Sequence, residues 1–246
     1  MPDDQRHDAA DYRPKFYERY HLARASLQRD SVVVMQHMKE LWRKWLPTDR
    51  SATLLDLGCG NGEFLQLLNS LGYANVAGVD LSEEQAASGR SKGLNVTAGD
   101  AFEYLANRHQ EFDLISAFNF FEHLQKKEVL RLLELVHNAL RPGGKLLAVT
   151  PNGLSPFSGT TRYFDFSHEM SFTPQSWRQL ANLSGFWEPV FEEARFEGRG
   201  LKAVIRTILW SLLRFGFDSI SRIETGHSRD KSRVYTADMK VILTKC

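Results

Sequence analysis

Cysteine is nearly missing from this chain. Cys59 and Cys246 are the two in 246 residues, and they make neither a disulfide framework nor a Cys-His zinc spacing. Net charge is just as scarce. Thirty-one Lys and Arg stand against 30 Asp and Glu, a formal +1 with no acidic tail, so a nucleic-acid partner is not expected. No stretch reaches the ~20 apolar residues of a bilayer-crossing helix. Residues 1–11 are polar and acidic rather than a basic run ahead of an apolar one, which excludes a secretory leader there and leaves the cytoplasm as the expected location. Two nucleotide signatures are absent as well. A dinucleotide fingerprint wants Gly-x-Gly-x-x-Gly, but the position three after Gly60 is Glu63, and no Gly-Lys-Ser/Thr phosphate loop occurs.

What is present is a hydrophobic content of 42%, enough for one substantial core with an elaboration rather than two equal domains. The chain is organised around Thr53-Leu54-Leu55-Asp56-Leu57-Gly58-Cys59-Gly60-Asn61-Gly62-Glu63-Phe64, which reads as strand, tight turn, helix. Glycines at positions 58, 60 and 62 permit positive φ and a close approach of backbone to a ligand. The amides that open the following helix are unpaired donors. The segment Asp56-Leu57-Gly58-Cys59-Gly60-Asn61-Gly62 resembles motif I of the class I S-adenosylmethionine (SAM) methyltransferases, matching its acidic-x-Gly-x-Gly-x-Gly form. The resemblance implies a Rossmann-like, seven-stranded, mostly parallel α/β sheet flanked by helices. It also implies SAM as cofactor, lying over Gly58, Cys59, Gly60 and Gly62, with Asp56 orienting its amino group.

Along the chain, residues 1–48 read as an N-terminal helical segment. Tyr12, Phe16, Tyr17 and Tyr20 recur at helical spacing, either as a packed aromatic face or as a cofactor cover, and Val34, Met38, Leu41 and Trp45 mark an amphipathic helix before Pro47. Residues 49–246 read as the methyltransferase domain. A strand over 75–82 ends in Asp80, about 20 residues past the turn, where α/β nucleotide sites set an acid against ribose hydroxyls; Leu81 is its neighbour. Ser82 is the expected cap of the next helix. A third strand over 94–102 ends at Asp100-Ala101. By resemblance these two hold the adenine amino group, while Asp100 serves equally as a helix N-cap. A fourth strand over 112–118 leads into Asn119-Phe120-Phe121-Glu122-His123-Leu124, at the strand end where parallel α/β sheets bind ligands. That Glu-His-Leu step resembles the ubiquinone-biosynthesis-type O-methyltransferases and makes His123 either a base or a structural hydrogen bonder.

Residues 151–173 form a long polar and aromatic loop, of a length that marks a functional lid or disorder; its aromatics argue against disorder. Its core, Arg162-Tyr163-Phe164-Asp165-Phe166-Ser167-His168-Glu169, followed by Phe-Thr-Pro, resembles a branch of bacterial surface-polysaccharide methyltransferases. His168 is the first candidate base, oriented by Asp165, and His123 the second. A self-capping loop with Asp165 paired to Arg162 is the alternative. Asp165 and His168 alone are too few ligands for a metal, so no metal ligands are assigned, and a metal-assisted reaction stands as the weaker alternative. Residues 201–217 form an inserted amphipathic helix with Lys202, Arg206 and Arg214 on its narrower side, free to lie on a membrane surface, against a partner or on its own domain. The expected activity is O-methylation of a glycan hydroxyl. A phenolic or other small acceptor, a non-catalytic SAM-binding module and an NAD-linked oxidoreductase are the rivals.

Overall fold

The computed structural model describes residues 38–195, 200–226, 232 and 234–246. The aromatic segment at Tyr12 to Tyr20 and its suggested covering role lie outside them. Seven strands form one sheet in the order β3-β2-β1-β4-β5-β7-β6. They are β1 (Thr53–Leu57), β2 (Asn75–Asp80), β3 (Val96–Ala98), β4 (Phe112–Phe118), β5 (Leu140–Pro151), β6 (Val190–Glu193) and β7 (Asp238–Thr244). The first five neighbours pair in parallel, and β7 runs antiparallel to both β5 and β6. Helices α1 (Glu63–Ser70), α2 (Glu83–Ser91), α3 (Ala101–Leu105) and α4 (Lys126–Ala139) are the crossovers. The short α5 (Ser158–Tyr163), then α6 (Pro174–Leu183) and α7 (Leu201–Thr225), follow β5 and flank β6.

Both faces of the sheet are covered, which is why its central strands are apolar along their length. Leu55 stands beside Ile115 and Ile115 beside Leu146, all three in one core with Leu132, Val136 and Trp177. Leu54 and Leu114, one residue out of phase, enter the opposite core with Trp42, Phe64 and Ile242. Trp42 stacks on Phe118 at 4.8 Å between ring centroids and ties the end of the N-terminal segment to β4. Helix caps follow sequence chemistry. Ser82 accepts from the Gln85 amide at 3.3 Å, and Thr173 with Ser176 forms a reciprocal box ahead of Pro174.

Three expectations shift. Residues 38–42 are helical but the helix stops there, short of Pro47. Strand β5, expected over 145–150 after a helix stop at Arg141-Pro142-Gly143-Gly144, begins already at Leu140, with a register irregularity between Phe112 and Leu114 of its partner. Helix α7 runs to Thr225, eight residues past the sequence estimate, and ends on Gly226 in the left-handed region. The parallel order reverses between β1 and β4, since β2 and β3 extend to one side and β5 to the other. That switch point opens a crevice at the carboxyl ends of the two central strands.

Candidate active site

Immediately after β1 the chain makes its glycine turn. The amides of Gly58 and Cys59 donate to the Val79 carbonyl at 2.8 and 3.2 Å, which pins the turn to the end of β2. Gly58 sits at φ +66°, and a Cβ there would stand 2.5 Å from the Phe120 ring; Gly62, at φ +83°, would meet Leu94 at 2.3 Å. At Gly60 the surroundings are open, with Gln85 Oε1 at 3.8 Å the nearest atom to a built Cβ. Gly58 and Gly62 therefore satisfy packing, and Gly60 leaves room. Cys59 belongs to the fold. Its thiol lies against Gly78, and burial together with the charges of Asp56 and Asp80 keeps it protonated. Its side chain is therefore turned away from any ligand over the turn.

Asp56 is buried at the end of β1, opposite Ser116 in the β1–β4 register. The Ser116 hydroxyl donates to Asp56 Oδ1 at 2.6 Å. Loss of solvent pushes the carboxyl up to about 7, against the Ser116 hydrogen bond and with a smaller push from the charge of Asp80. Asp80 accepts from the Gly60 amide at 2.7 Å through Oδ2 and from the Ser82 amide at 2.9 Å through Oδ1. Burial still raises its pKa, although those two amides favour the anion. Each Asp80 oxygen retains a second lone pair for a hydroxyl. Leu81, beside it, is about half exposed.

Asp100 caps α3, its Oδ1 accepting from the amides of Phe102 at 2.7 Å and Glu103 at 3.2 Å. The capping alternative therefore holds, and Oδ2 is the oxygen left to face an adenine. Ala101 is buried in the first turn of α3. Asn119 adopts φ +50°, a conformation Asn tolerates better than most residues. Its amide donates to the Val149 carbonyl at 3.0 Å while its side chain is exposed. This bend turns the chain into the 3-10 turn Phe121–His123.

That turn meets the loop after β5 in a second polar group. Glu122, His123 and His168 are 1%, 8% and 9% exposed, and a ligand atom from each lies within 4.8 Å of the other two. The two imidazoles meet edge to face with centroids 4.9 Å apart. His168 Nδ1 is 2.9 Å from the Thr161 carbonyl, which only accepts, so Nδ1 carries the proton and Nε2 the lone pair of the neutral ring. The Ser167 hydroxyl donates to Asp165 Oδ1 at 2.6 Å and so receives the Nδ1 proton of His123 at 2.9 Å. Asp165 is thus connected to His123 through Ser167. Where Asp165 was expected to orient the His168 ring, the ring's Nδ1 is held by the Thr161 carbonyl, and the His168 backbone amide donates to the Asp165 backbone carbonyl at 3.2 Å. Arg162 does not pair with Asp165 either, since its guanidinium donates to the carbonyls of His168 and Glu169.

Asn152 is fully buried and ties the loop to the carbonyls of Val234 and Thr236, each at 3.0 Å. Sequence reasoning missed Ser116, Glu122, Thr161 and Ser167. Ser116 left a trace, as the hydroxyl residue inside the otherwise apolar Leu114–Phe118 run of β4, and Glu122 was present in the Glu-His-Leu step without a role.

A reversed parallel sheet, a glycine turn at its switch point and carboxylates at the tips of β1 and β2 define the fold class of the SAM-dependent methyltransferases. A solved SAM-dependent methyltransferase from Archaeoglobus fulgidus superposes with TM-score 0.68 at 24% identity, over 92% of this chain and 99% of that one. The SAM complex of phosphoethanolamine N-methyltransferase 2 from Haemonchus contortus gives TM-score 0.60 at 21% identity, over 85% of this chain and 52% of that one. The methyltransferase domain family matches residues 30–189, and the chain belongs to that family, whose fold class takes SAM as its cofactor. Curated relatives include an uncharacterized protein of Haemophilus influenzae, 32% identical over 54% of each chain. Another is 27-O-demethylrifamycin SV methyltransferase of Amycolatopsis mediterranei, 29% identical over 44% of each. The chain thus spans about half the length, or less, of the curated relatives it matches.

Proposed function

We propose that this domain moves the methyl group of SAM to a hydroxyl oxygen, and that the acceptor is a sugar of a nucleotide- or lipid-linked glycan in surface-polysaccharide synthesis. The observation that carries the reading is the buried Glu122–His123–His168 group, formed where the segment that leaves β4, whose Phe120 lies against Gly58, meets the loop after β5. The oxygen lone pair forms the new C–O bond as the C–S pair returns to sulfur, so the sulfonium charge disappears. Most of the rate comes from holding the two reactants in line and away from water. A hydroxyl must also lose its proton, and His168 Nε2 is the acceptor for it, with the ring held by Thr161. His123, braced by Ser167 and Asp165, is the second candidate.

Oxygen as the acceptor atom agrees with the name of the Amycolatopsis relative. For the cofactor, Asp56, Asp80 and Asp100 would meet the amino group, the ribose and the adenine of SAM, with Gly58, Gly60 and Gly62 beneath it. The glycan assignment draws on the loop after β5, where Phe157, Tyr163, Phe164 and Phe166 are exposed among hydroxyl-bearing residues. A sugar offers apolar faces and hydroxyl edges to such a surface.

Helix α7 supports a lipid-bound acceptor. Its inward contacts are polar or aromatic, with Trp210 donating to Glu193 at 2.9 Å and Tyr235 to Asp218 at 2.6 Å. Its outward face exposes Val204, Ile205, Ile208, Leu209, Leu212 and Leu213. Lys202 and Arg206 border that ridge, and residues 201–217 contain no acid. An anionic membrane surface complements both features. No described helix is long and apolar enough to cross a membrane.

The test is methyl transfer from radiolabelled SAM to a panel of sugar nucleotides, lipid-linked sugars and phenols. His168→Ala is expected to slow turnover at least 100-fold while SAM affinity holds. Full turnover in that variant would remove the base, and methylation confined to phenols would remove the glycan.

A further inference from the structure

We infer that Glu122, His123 and His168 together bind one divalent first-row transition-metal cation. Three observations carry this. The carboxylate and both imidazoles are more than nine-tenths buried, and inside a protein such groups are paired or coordinate a metal. Their ligand atoms lie within 4.8 Å of one another, although they come from two separate segments, the 3-10 turn after β4 and the loop after β5. Those segments are laced together by the Glu169 amide on the Glu122 carbonyl at 2.7 Å.

The third observation concerns the layer behind the ligands. Metal-bound histidines characteristically donate their other ring nitrogen to a carbonyl or carboxylate, which fixes the tautomer. His168 does this to the Thr161 carbonyl, and His123 does it through Ser167 to Asp165. Both rings are thereby oriented with the Nε2 lone pair as ligand. Two nitrogens and one carboxylate suit Zn²⁺ and its first-row neighbours, whereas Mg²⁺ and Ca²⁺ favour all-oxygen shells. Ligand bonds of about 2.0–2.2 Å require the three atoms to close to separations of roughly 3.3 Å. That contraction is what binding asks of the site, and the remaining coordination positions are left for substrate oxygen.

What the cation does rests on the hydroxyl-acceptor reading; that it binds does not. An acceptor hydroxyl coordinated to it is acidified and loses its proton to water. The resulting alkoxide attacks the SAM methyl, and the C–S electron pair leaves with the thioether product. The imidazoles then act as ligands, and the cation replaces His168 as the group that activates oxygen.

Zn²⁺, with Mg²⁺ as comparator, is titrated calorimetrically into the chelator-stripped full chain. The expected result is one Zn²⁺ per chain, bound at least about 100-fold tighter than Mg²⁺. His168→Ala and Glu122→Gln should each lose at least that factor, and His109→Ala, at an exposed position, should lose nothing. Ser167→Ala keeps every ligand and removes one brace, so a 10- to 100-fold loss is expected. Circular dichroism and SAM binding verify folding, and if a ligand variant unfolds, Ser167→Ala decides. A visible Co²⁺ spectrum should appear in the parent and vanish in the same variants. Absence of saturable binding, or binding indifferent to these substitutions, overturns the site. Chelator-insensitive methylation of a hydroxyl, without metal binding, overturns the site and keeps the proposed function. Metal bound at one per chain, with methylation confined to nitrogen or sulfur, does the reverse.

Discussion

Asp56 is the residue on which burial and chemistry pull hardest against each other. Its carboxyl titrates near pH 7 because the charged form is buried, with one Ser116 hydrogen bond opposing and the Asp80 charge adding. The folded pKa lies above the unfolded one, so the native chain binds the extra proton. That contribution to stability is complete below about pH 4 and is lost as pH rises through about 7. Asp56→Asn keeps the shape and removes the charge. Without ligand, its melting temperature relative to the parent should rise by at least about 4 °C between pH 5 and pH 9. A cationic amino group on the anion reverses the preference, so SAM affinity of the parent should fall up to about tenfold per unit below pH 7, and Asp56→Asn should flatten that profile. A parent affinity constant from pH 5 to 8 would contradict the assignment. Asp56 was legible in sequence because it stands two residues before Gly58, and Asp80 because an α/β nucleotide unit sets an acid about 20 residues past the turn. Ser116 was not, because only the pairing of β1 with β4 brings it to Asp56.

Among the elements, the glycine turn and the helix starts were readable, since Gly60 takes its positive φ at a single position and Ser82, Thr173 and Pro174 act on neighbours within a few residues. The loop after β5 was readable as important but not as wired. Asp165 and His168 lie three apart in sequence, yet the side chain that meets Asp165 through Ser167 is His123, 44 positions before that serine. Helix α7 was readable as amphipathic, but its orientation was not. An apolar stripe ordinarily faces the core. Here Glu193 and Tyr235, from distant segments, hold the polar side inward and turn the stripe out, with Leu212 at 64% and Phe215 at 69% exposure. Sedimentation with vesicles containing anionic lipid should capture the chain, weakly or not at all with neutral vesicles. Ile208→Asp with Leu212→Asp should abolish capture without lowering the melting temperature by more than about 2 °C, since neither side chain is buried. Equal capture by neutral and anionic vesicles, or a dimer in their absence that the pair of substitutions dissolves, would contradict a lipid partner.

At the scale of the whole molecule, one topological fact organises the rest. The sheet reverses direction of growth between β1 and β4, and the residues discussed above emerge from strand ends on either side of that point. Strand order was recoverable from the sequence only through resemblance, because apolar runs identify strands without naming their neighbours. The β5–β7–β6 edge and the length of α7 depend on contacts between distant residues and were legible only in outline. The crevice accounts for the placement of acids, glycines and histidines if a sulfonium nucleoside occupies it. Isothermal titration of the full chain with SAM and with S-adenosylhomocysteine tests this most directly. One site per chain for each ligand is predicted, weakened at least tenfold in Asp80→Ala, which removes both lone-pair acceptors for the ribose. No heat with either nucleoside, or binding indifferent to Asp80, would contradict the account.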